Sequence, residues 1–304
     1  MHIKIRNLNK EYPGGVFALQ NVNLDISTGM FGLLGPNVAG KSTLMKILAT
    51  LEKPSSGDVS INGDNVLTHR REIRAKLGYL PQFFGAYPQM TGMEFLTYIA
   101  KLSCISSKET KNWVQKTLAQ VALSDVRDRK VKTYSGGMLR RLGIAQALVG
   151  NPQLLIVDEP TTGLDPEERI RFRNLLAEIS SDKIIILSTH IVGDISSTCE
   201  DIALLSLGKV VFNGRPEELI NKAVGKVWQV TCNEEDFGVI SSQMHVISTI
   251  PVKNQLLLRV VGDPSNGFNM EELPPNLEDA YMYFMEFVIG EYVEDEESNG
   301  EDQA

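Results

Sequence analysis

At 304 residues with 42% hydrophobic side chains, the chain can form one large α/β domain with a smaller companion, and its composition is not that of a disordered protein. The formal net charge is −8, and residues 291–304 hold seven acids and no base, so the remainder is near neutral and nothing recommends nucleic acid as a partner. No run approaches the roughly 18 apolar residues of a membrane-spanning helix, and the opening MHIKIRNLNK alternates like a strand instead of resembling a signal peptide. Cys104, Cys199 and Cys232 are odd in number and widely spaced, which gives neither a disulfide framework nor a zinc site; free thiols in a reducing compartment are expected.

In chain order, HIKIRNL and ALQNVNLDI read as strands. Residues 31–34 are a short apolar run suited to a buried strand, and residues 44–51 (LMKILATL) carry apolar side chains at helical spacing. Between them lies GPNVAGKST, residues Gly35, Pro36, Asn37, Val38, Ala39, Gly40, Lys41, Ser42 and Thr43, which fits the GxxxxGK[ST] phosphate loop of nucleoside triphosphatases. A strand, a glycine-bearing turn and a helix in this order aim a helix N-terminus at phosphate. Its unpaired amides and dipole then bind the anion, Lys41 reaches the outer phosphates, and the Ser42 hydroxyl is placed to ligate magnesium.

DVSINGDNV predicts a hairpin or turn about Asn62 and Gly63. From about residue 86 to 150 the period is helical, with one stripe at Phe95, Leu96, Ile99 and Leu102 and another at Val114, Leu118 and Val121, which predicts an inserted helical subdomain. Apolar runs at 154–157 and 183–187 are of the kind a parallel sheet buries on both faces, with an amphipathic helix near 166–179 between them. The first run ends in Asp158 and Glu159, at the sheet edge where α/β proteins bind ligands. Asp158 suits the magnesium shell and Glu159 the polarisation of an attacking water. After about Asn221 short strands such as VWQVT, HVIST and QLLLRVV predict a small separate domain.

Upstream of Asp158, YSGGM (residues 134–138) opens a helix reading LRRLGIAQALVG. Here the chain resembles the ATP-binding subunits of ABC transporters, over roughly residues 1–220. Ser135, Gly136 and Gly137 match the family's usual LSGGQ signature, while Tyr134 and Met138 depart from it. The resemblance implies that this helix start caps ATP held by an opposite subunit. Further matches fall in the family's order. Gln82 in GYLPQ resembles the glutamine that touches magnesium and senses the membrane partner, and Asp165 in TTGLDP resembles the aspartate of the loop crossing the dimer interface. His190 in KIIILSTH resembles the switch histidine at the terminal phosphate, and Tyr12 in KEYPGG the aromatic that stacks on adenine.

The implied fold is an ABC-type P-loop α/β domain over 1–220: a mixed parallel sheet core, an N-terminal antiparallel part and a helical subdomain at about 86–150. A small α+β accessory domain follows at 221–290, and 291–304 is expected to be a disordered acidic tail. The implied function is ATP hydrolysis with magnesium: Glu159, His190 and Lys41 are catalytic, Ser42, Gln82 and Asp158 serve the metal, and Ser135, Gly136, Gly137, Met138 and Asp165 make dimer contacts. The implied partners are a second ATP-binding subunit, most simply a homodimer, and a separate transmembrane permease that alone attaches the chain to the cytoplasmic face of the membrane. LEDAYMYFM, residues 277–285, resembles the ending of ATPases of two-component exporters. A soluble ABC ATPase of translation or DNA repair, or an ATP-gated module with weak turnover, are the competing readings.

Two points stay open at this level. Phe83, Phe84, Tyr87 and Met90 are either core or a docking patch. Val38 stands where the family usually has glycine, so the loop either keeps a positive φ under strain or relaxes to a negative one.

Overall fold

The computed structural model describes residues 1–290 except Cys104 and Asn266; the acidic segment 291–304, expected to be a solvated tail, lies outside the described residues. The chain divides into two compact units, one ending at Asn213 and the other beginning at Gly214.

The first unit opens with the long strands β1 (His2–Tyr12) and β2 (Val16–Ser27), followed by β3 (Gly29–Leu34) and α1 (Lys41–Leu48). Next come β4 (Ser56–Ile61), β5 (Asp64–Asn65), α2 (Arg70–Arg74) and β6 (Leu77–Leu80), then α3 (Gly92–Leu102), α4 (Ser107–Gln120) and α5 (Gly136–Ala147). The unit finishes with β7 (Leu154–Asp158), α6 (Pro166–Ile179), β8 (Ile184–Thr189), α7 (Val192–Ile195), β9 (Asp201–Ser206) and β10 (Lys209–Gly214).

β1, β2, β4 and β5 form an antiparallel sheet in the order β2-β1-β4-β5. Alternation puts Ile3 and Ile5 into the core, while the register shifts near Asn7 and Asn21 use the tolerance of asparagine for positive φ. Asn62 and Gly63, both at positive φ, make the expected hairpin turn between β4 and β5.

The second sheet has the order β10-β9-β3-β8-β7-β6, parallel from β6 through β9. β10 returns through the two-residue turn Leu207–Gly208 and is therefore antiparallel to β9, so the sheet is mixed. Its interior strands β7 and β8 are buried at every position, which is why they read as continuous apolar runs. The carboxyl ends of β3, β7 and β8 bring the phosphate loop, Glu159 and His190 to one edge.

In the helical part, Phe95, Leu96, Val114, Leu118 and Val121 are buried as their spacing predicts. Leu102 is not: it is exposed as the last residue of α3, and Ala100 turns inward instead. Phe84 packs edge-on to Phe95 at 6.0 Å, whereas Phe83 is 88% and Tyr87 53% exposed, so the apolar cluster after Gln82 divides between core and surface.

The second unit contains α8 (Pro216–Lys222), β11 (Val227–Cys232), α9 (Phe237–Gln243), β12 (His245–Val252), β13 (Gln255–Val261), β14 (Asn269–Glu272) and α10 (Leu277–Tyr283). Its strands form an antiparallel sheet, β12-β13-β11-β14, over a core of Val230, Ile240, Leu258 and Val260. The LEDAYMYFM ending is a helix pinned to that sheet. Asp279, fully buried, accepts from Arg259 Nε at 2.7 Å and Nη2 at 2.5 Å, and Asn276 caps the helix on the amides of Glu278 and Asp279. Cys199 and Cys232 are buried and free, and burial pushes the Cys199 thiol up to about 12.

Candidate active site

The phosphate loop runs from the end of β3 to the start of α1 and is held by backbone on both sides. A side chain at Gly35 would place Cβ 2.3 Å from the Leu205 carbonyl oxygen, and one at Gly40 2.3 Å from that of Ala18, so close approach requires glycine at both. Gly208 N–H donates to the Ala39 carbonyl at 3.1 Å. Gly40 is the N-cap of α1 and offers no side chain to its first amides, which leaves them available to an anion. Lys41 is buried and donates to the carbonyls of Gly35 at 2.6 Å and Pro36 at 3.0 Å. Burial pushes its ammonium below the ordinary lysine value, and the Glu159 carboxylate, 3.6 Å away, opposes the shift. Val38 is wholly exposed and sits at φ +68°, so of its two open conformations the structure takes the left-handed one. For a β-branched residue that conformation costs on the order of 1–3 kcal/mol.

Asp158 and Glu159 end β7 as expected, both buried. Ser188 Oγ donates to Asp158 Oδ1 at 2.6 Å, which orients that carboxylate. Glu159 itself lies at φ +48°, a turn that aims its side chain between two strands' ends. Its Oε1 faces Lys41 and its Oε2 lies 2.6 Å from His190 Nδ1, with Thr162 Oγ1 donating at 3.3 Å. Thr161 Oγ1 donates to the buried carboxylate of Asp194 on α7, tying the loop before Asp165 to the segment after His190.

A cavity of about 520 Å³ lies over the loop, lined among others by Tyr12, Phe17, Lys41, Ser42, Gln82 and Glu159. That volume is in the range of small-molecule sites. Lys10 places its ammonium 4.9 Å above the Tyr12 ring and pairs with Glu52 at 2.8 Å.

The structure therefore gathers Tyr12, the phosphate loop, Gln82 and Glu159 around one cavity, with Asp158 and His190 beside it. It does not bring the signature there. Gly136 lines a separate open cleft of about 350 Å³ with Gln82, Phe84, Leu139 and Gly163. Ser135 Oγ accepts from Met138 N–H at 3.2 Å as the N-cap of α5, and Asp165 Oδ1 accepts from Glu168 N–H at 2.9 Å as the N-cap of α6. Tyr134, the departure at the front of the signature, donates from its hydroxyl to the Val126 carbonyl at 2.9 Å and packs on Gly92, so the larger side chain anchors the helix start.

Sequence reasoning missed Ser188, Asp194 and Arg140. Ser188 was findable as the residue two before His190, on the strand that leads to it. For Arg140 and Asp194, whose partners lie far along the chain, no local pattern points to the contact.

Residues 19–162 match the ABC transporter family. Over 291 residues the chain is 31% identical to the Nod factor export ATP-binding protein I of Cupriavidus metallidurans, covering 92% of this chain and 96% of that one. It is 33% identical to an uncharacterized ABC transporter ATP-binding protein, YxlF, of Bacillus subtilis, covering 83% of each. Among solved structures, a dimeric ATP-binding cassette bound to ADP and Pi in a post-hydrolysis state superposes with a TM-score of 0.64 at 28% identity, over 70% of this chain and 98% of that one.

Proposed function

Because the chain belongs to the ATP-binding proteins of ABC transporters, we propose that its site is one half of a composite ATPase that powers export through a separate membrane permease. The chain is an ABC transporter ATPase; what is proposed is how its residues divide the work. The observation that carries the reading is the position of Glu159, between the Lys41 ammonium at 3.6 Å and His190 Nδ1 at 2.6 Å, in the lining of the phosphate-loop cavity.

Lys41 and the amides at the start of α1 neutralise charge developing on the transferred phosphoryl group. Glu159 accepts the proton of the attacking water, and His190 orders water and terminal phosphate from the other side. Tyr12 offers its ring to the adenine. Ser42, Gln82 and Asp158 would hold magnesium through hydroxyl, carboxamide and carboxylate oxygens, a donor set that suits a hard cation. Asp158, buried and oriented by Ser188, fits that role. Bound there, the ion would neutralise phosphate charge.

Because the signature residues do not line their own chain's cavity, Ser135, Gly136, Gly137 and Met138 complete the site of a second copy, with Asp165 at the interface. The dimeric state of the ADP-bound relative supports this, and the relatives named for Nod factor export support the direction of transport. ATP then closes the homodimer and hydrolysis opens it. Exposed Phe83 and Tyr87 offer the permease a docking patch. Among the described residues no helix is long and apolar enough to cross a membrane, so attachment to the cytoplasmic face runs through the permease.

The test is Glu159→Gln. It keeps ATP binding, loses turnover and accumulates an ATP-dependent dimer on size exclusion, because the base is lost while the phosphate contacts remain. Wild-type turnover in this variant would remove Glu159 from the mechanism.

A further inference from the structure

Arg140 lies one turn into α5, the helix opened by the signature, and is nine-tenths buried. A guanidinium has five N–H donors, and one placed out of water must find partners for them. Arg140 finds all of them in backbone carbonyls from two distant segments. Nε donates to Pro160 at 2.7 Å, Nη1 to Gln82 at 2.7 Å and Pro81 at 3.2 Å, and Nη2 to Glu159 and, at 3.4 Å, to Asp158. Among the described residues no carboxylate takes a hydrogen bond from it. Its pKa is pushed down by burial, against the nearby charges of Asp158 and Glu159.

This pattern does more than fill a core. Glu159 is held at φ +48°, a sparsely populated conformation for a side-chain-bearing residue that persists only when its surroundings fix it. Both peptide groups of that residue are fixed: its N–H donates to the Ser188 carbonyl at 3.1 Å, and its own carbonyl accepts from Arg140. The same guanidinium holds the carbonyl of Gln82. One rigid fork thus sets the backbone that aims the Glu159 carboxylate and the backbone that carries the glutamine, and it rides on the signature helix.

We propose that Arg140 is a positioning residue for ATP hydrolysis: it locks the Glu159 turn and the Gln82 loop together on the signature helix, so that the three move as one body. It is not among the residues lining the phosphate-loop cavity and acts through Glu159. The inference rests on Glu159 being the base.

Arg140→Met takes this donor from five carbonyls, three of them in buried contacts, and destabilises the fold, so the decisive variant is Arg140→Lys, which keeps the charge but loses the fork. Steady-state ATPase and nucleotide titration are run on one preparation, beside Glu159→Gln. The expected result is a kcat lowered by about tenfold to a hundredfold, the scale of a misplaced catalytic group, with the Kd for ATP unchanged within about threefold. Unaltered kcat, or kcat and affinity falling together, overturns the proposal. If the lysine variant does not bind ATP at all, Arg140→Ala assayed with and without millimolar guanidinium decides instead: recovery of kcat supports the proposal and no recovery counts against it. A Glu159→Gln variant that still turns over would defeat the functional reading itself, whereas an inactive Glu159→Gln beside a fully active Arg140→Lys would defeat only the role of Arg140.

Discussion

The phosphate loop and the signature segment both set small residues before a helix N-terminus, but they are held in different ways. The loop is closed by its own chain: Lys41 reaches back to Gly35 and Pro36, and the backbones of β2 and β9 press on Gly40 and Gly35. In the signature, Ser135 spends its hydroxyl on capping α5, Tyr134 anchors the turn from below, and the glycines lie away from the nucleotide cavity. The loop faces a cavity of its own chain, whereas the signature is preformed outside that cavity, as the composite site we propose requires. Preorganisation without a local ligand is what a composite site requires, since the donors need no rearrangement when the second subunit arrives.

Variants that separate binding from turnover sharpen this contrast. The largest effect is expected for Lys41→Met, which removes the buried ammonium of the loop: ATP affinity falls by more than about a hundredfold and turnover vanishes, read by nucleotide titration and phosphate release. Ser135→Arg should leave single-chain ATP affinity within about threefold while lowering kcat by about a hundredfold, as loss of a charge-stabilising donor does. Loss of the cap adds about 1 kcal/mol of destabilisation. If Ser135→Arg weakened ATP binding to the monomer as much as Lys41→Met, the signature would belong to its own chain's site.

Val38 tests the loop from within. Relieving about 1–3 kcal/mol of strain predicts roughly tenfold to hundredfold tighter ATP binding in Val38→Gly. Equal or weaker affinity at matched magnesium and salt would mean that the loop is adapted to valine.

The depressed Lys41 pKa gives a smaller, signed effect. Between that lowered value and the ordinary lysine value of 10.5, the unfolded chain binds more protons than the nucleotide-free fold. Stability of the free protein therefore rises with pH across this window, while ATP affinity falls because the lysine loses the charge that phosphate needs. Melting curves and nucleotide titrations from neutral pH upward should move in opposite directions, and Lys41→Met should abolish both trends. The smallest effect is expected for Tyr134→Phe, which strips the donor from the Val126 carbonyl and costs about 1 kcal/mol of stability, with ATP affinity unchanged.

How much of this could be read from the chain depended on how far apart the partners lie. The phosphate loop is contiguous, so spacing alone located Lys41 and Ser42; the buried strands β7 and β8 announced themselves as apolar runs and carried Asp158, Glu159 and His190 to their ends. The fork of Arg140 could not be read in the same way. Its partners are 58 and 19 residues distant at Gln82 and Glu159, and a backbone carbonyl has no signature in the side-chain alphabet. Nor could sequence decide between two allowed backbones at Val38, or split an apolar cluster into a half-buried Phe84 packed on Phe95 and an exposed Phe83.

Residue order by itself determined the chemistry on offer: a phosphate loop, two carboxylates at a strand end, a signature and the family they belong to. That is because each is a local run whose physics follows from neighbours in the chain. Only the tertiary structure decided which of those groups meet. Glu159 is pinned between Lys41 and His190 by a left-handed turn, and the signature is kept out of its own chain's cavity by the fold of α5. Such distances are set by the packing of strands and helices that sequence separation leaves open.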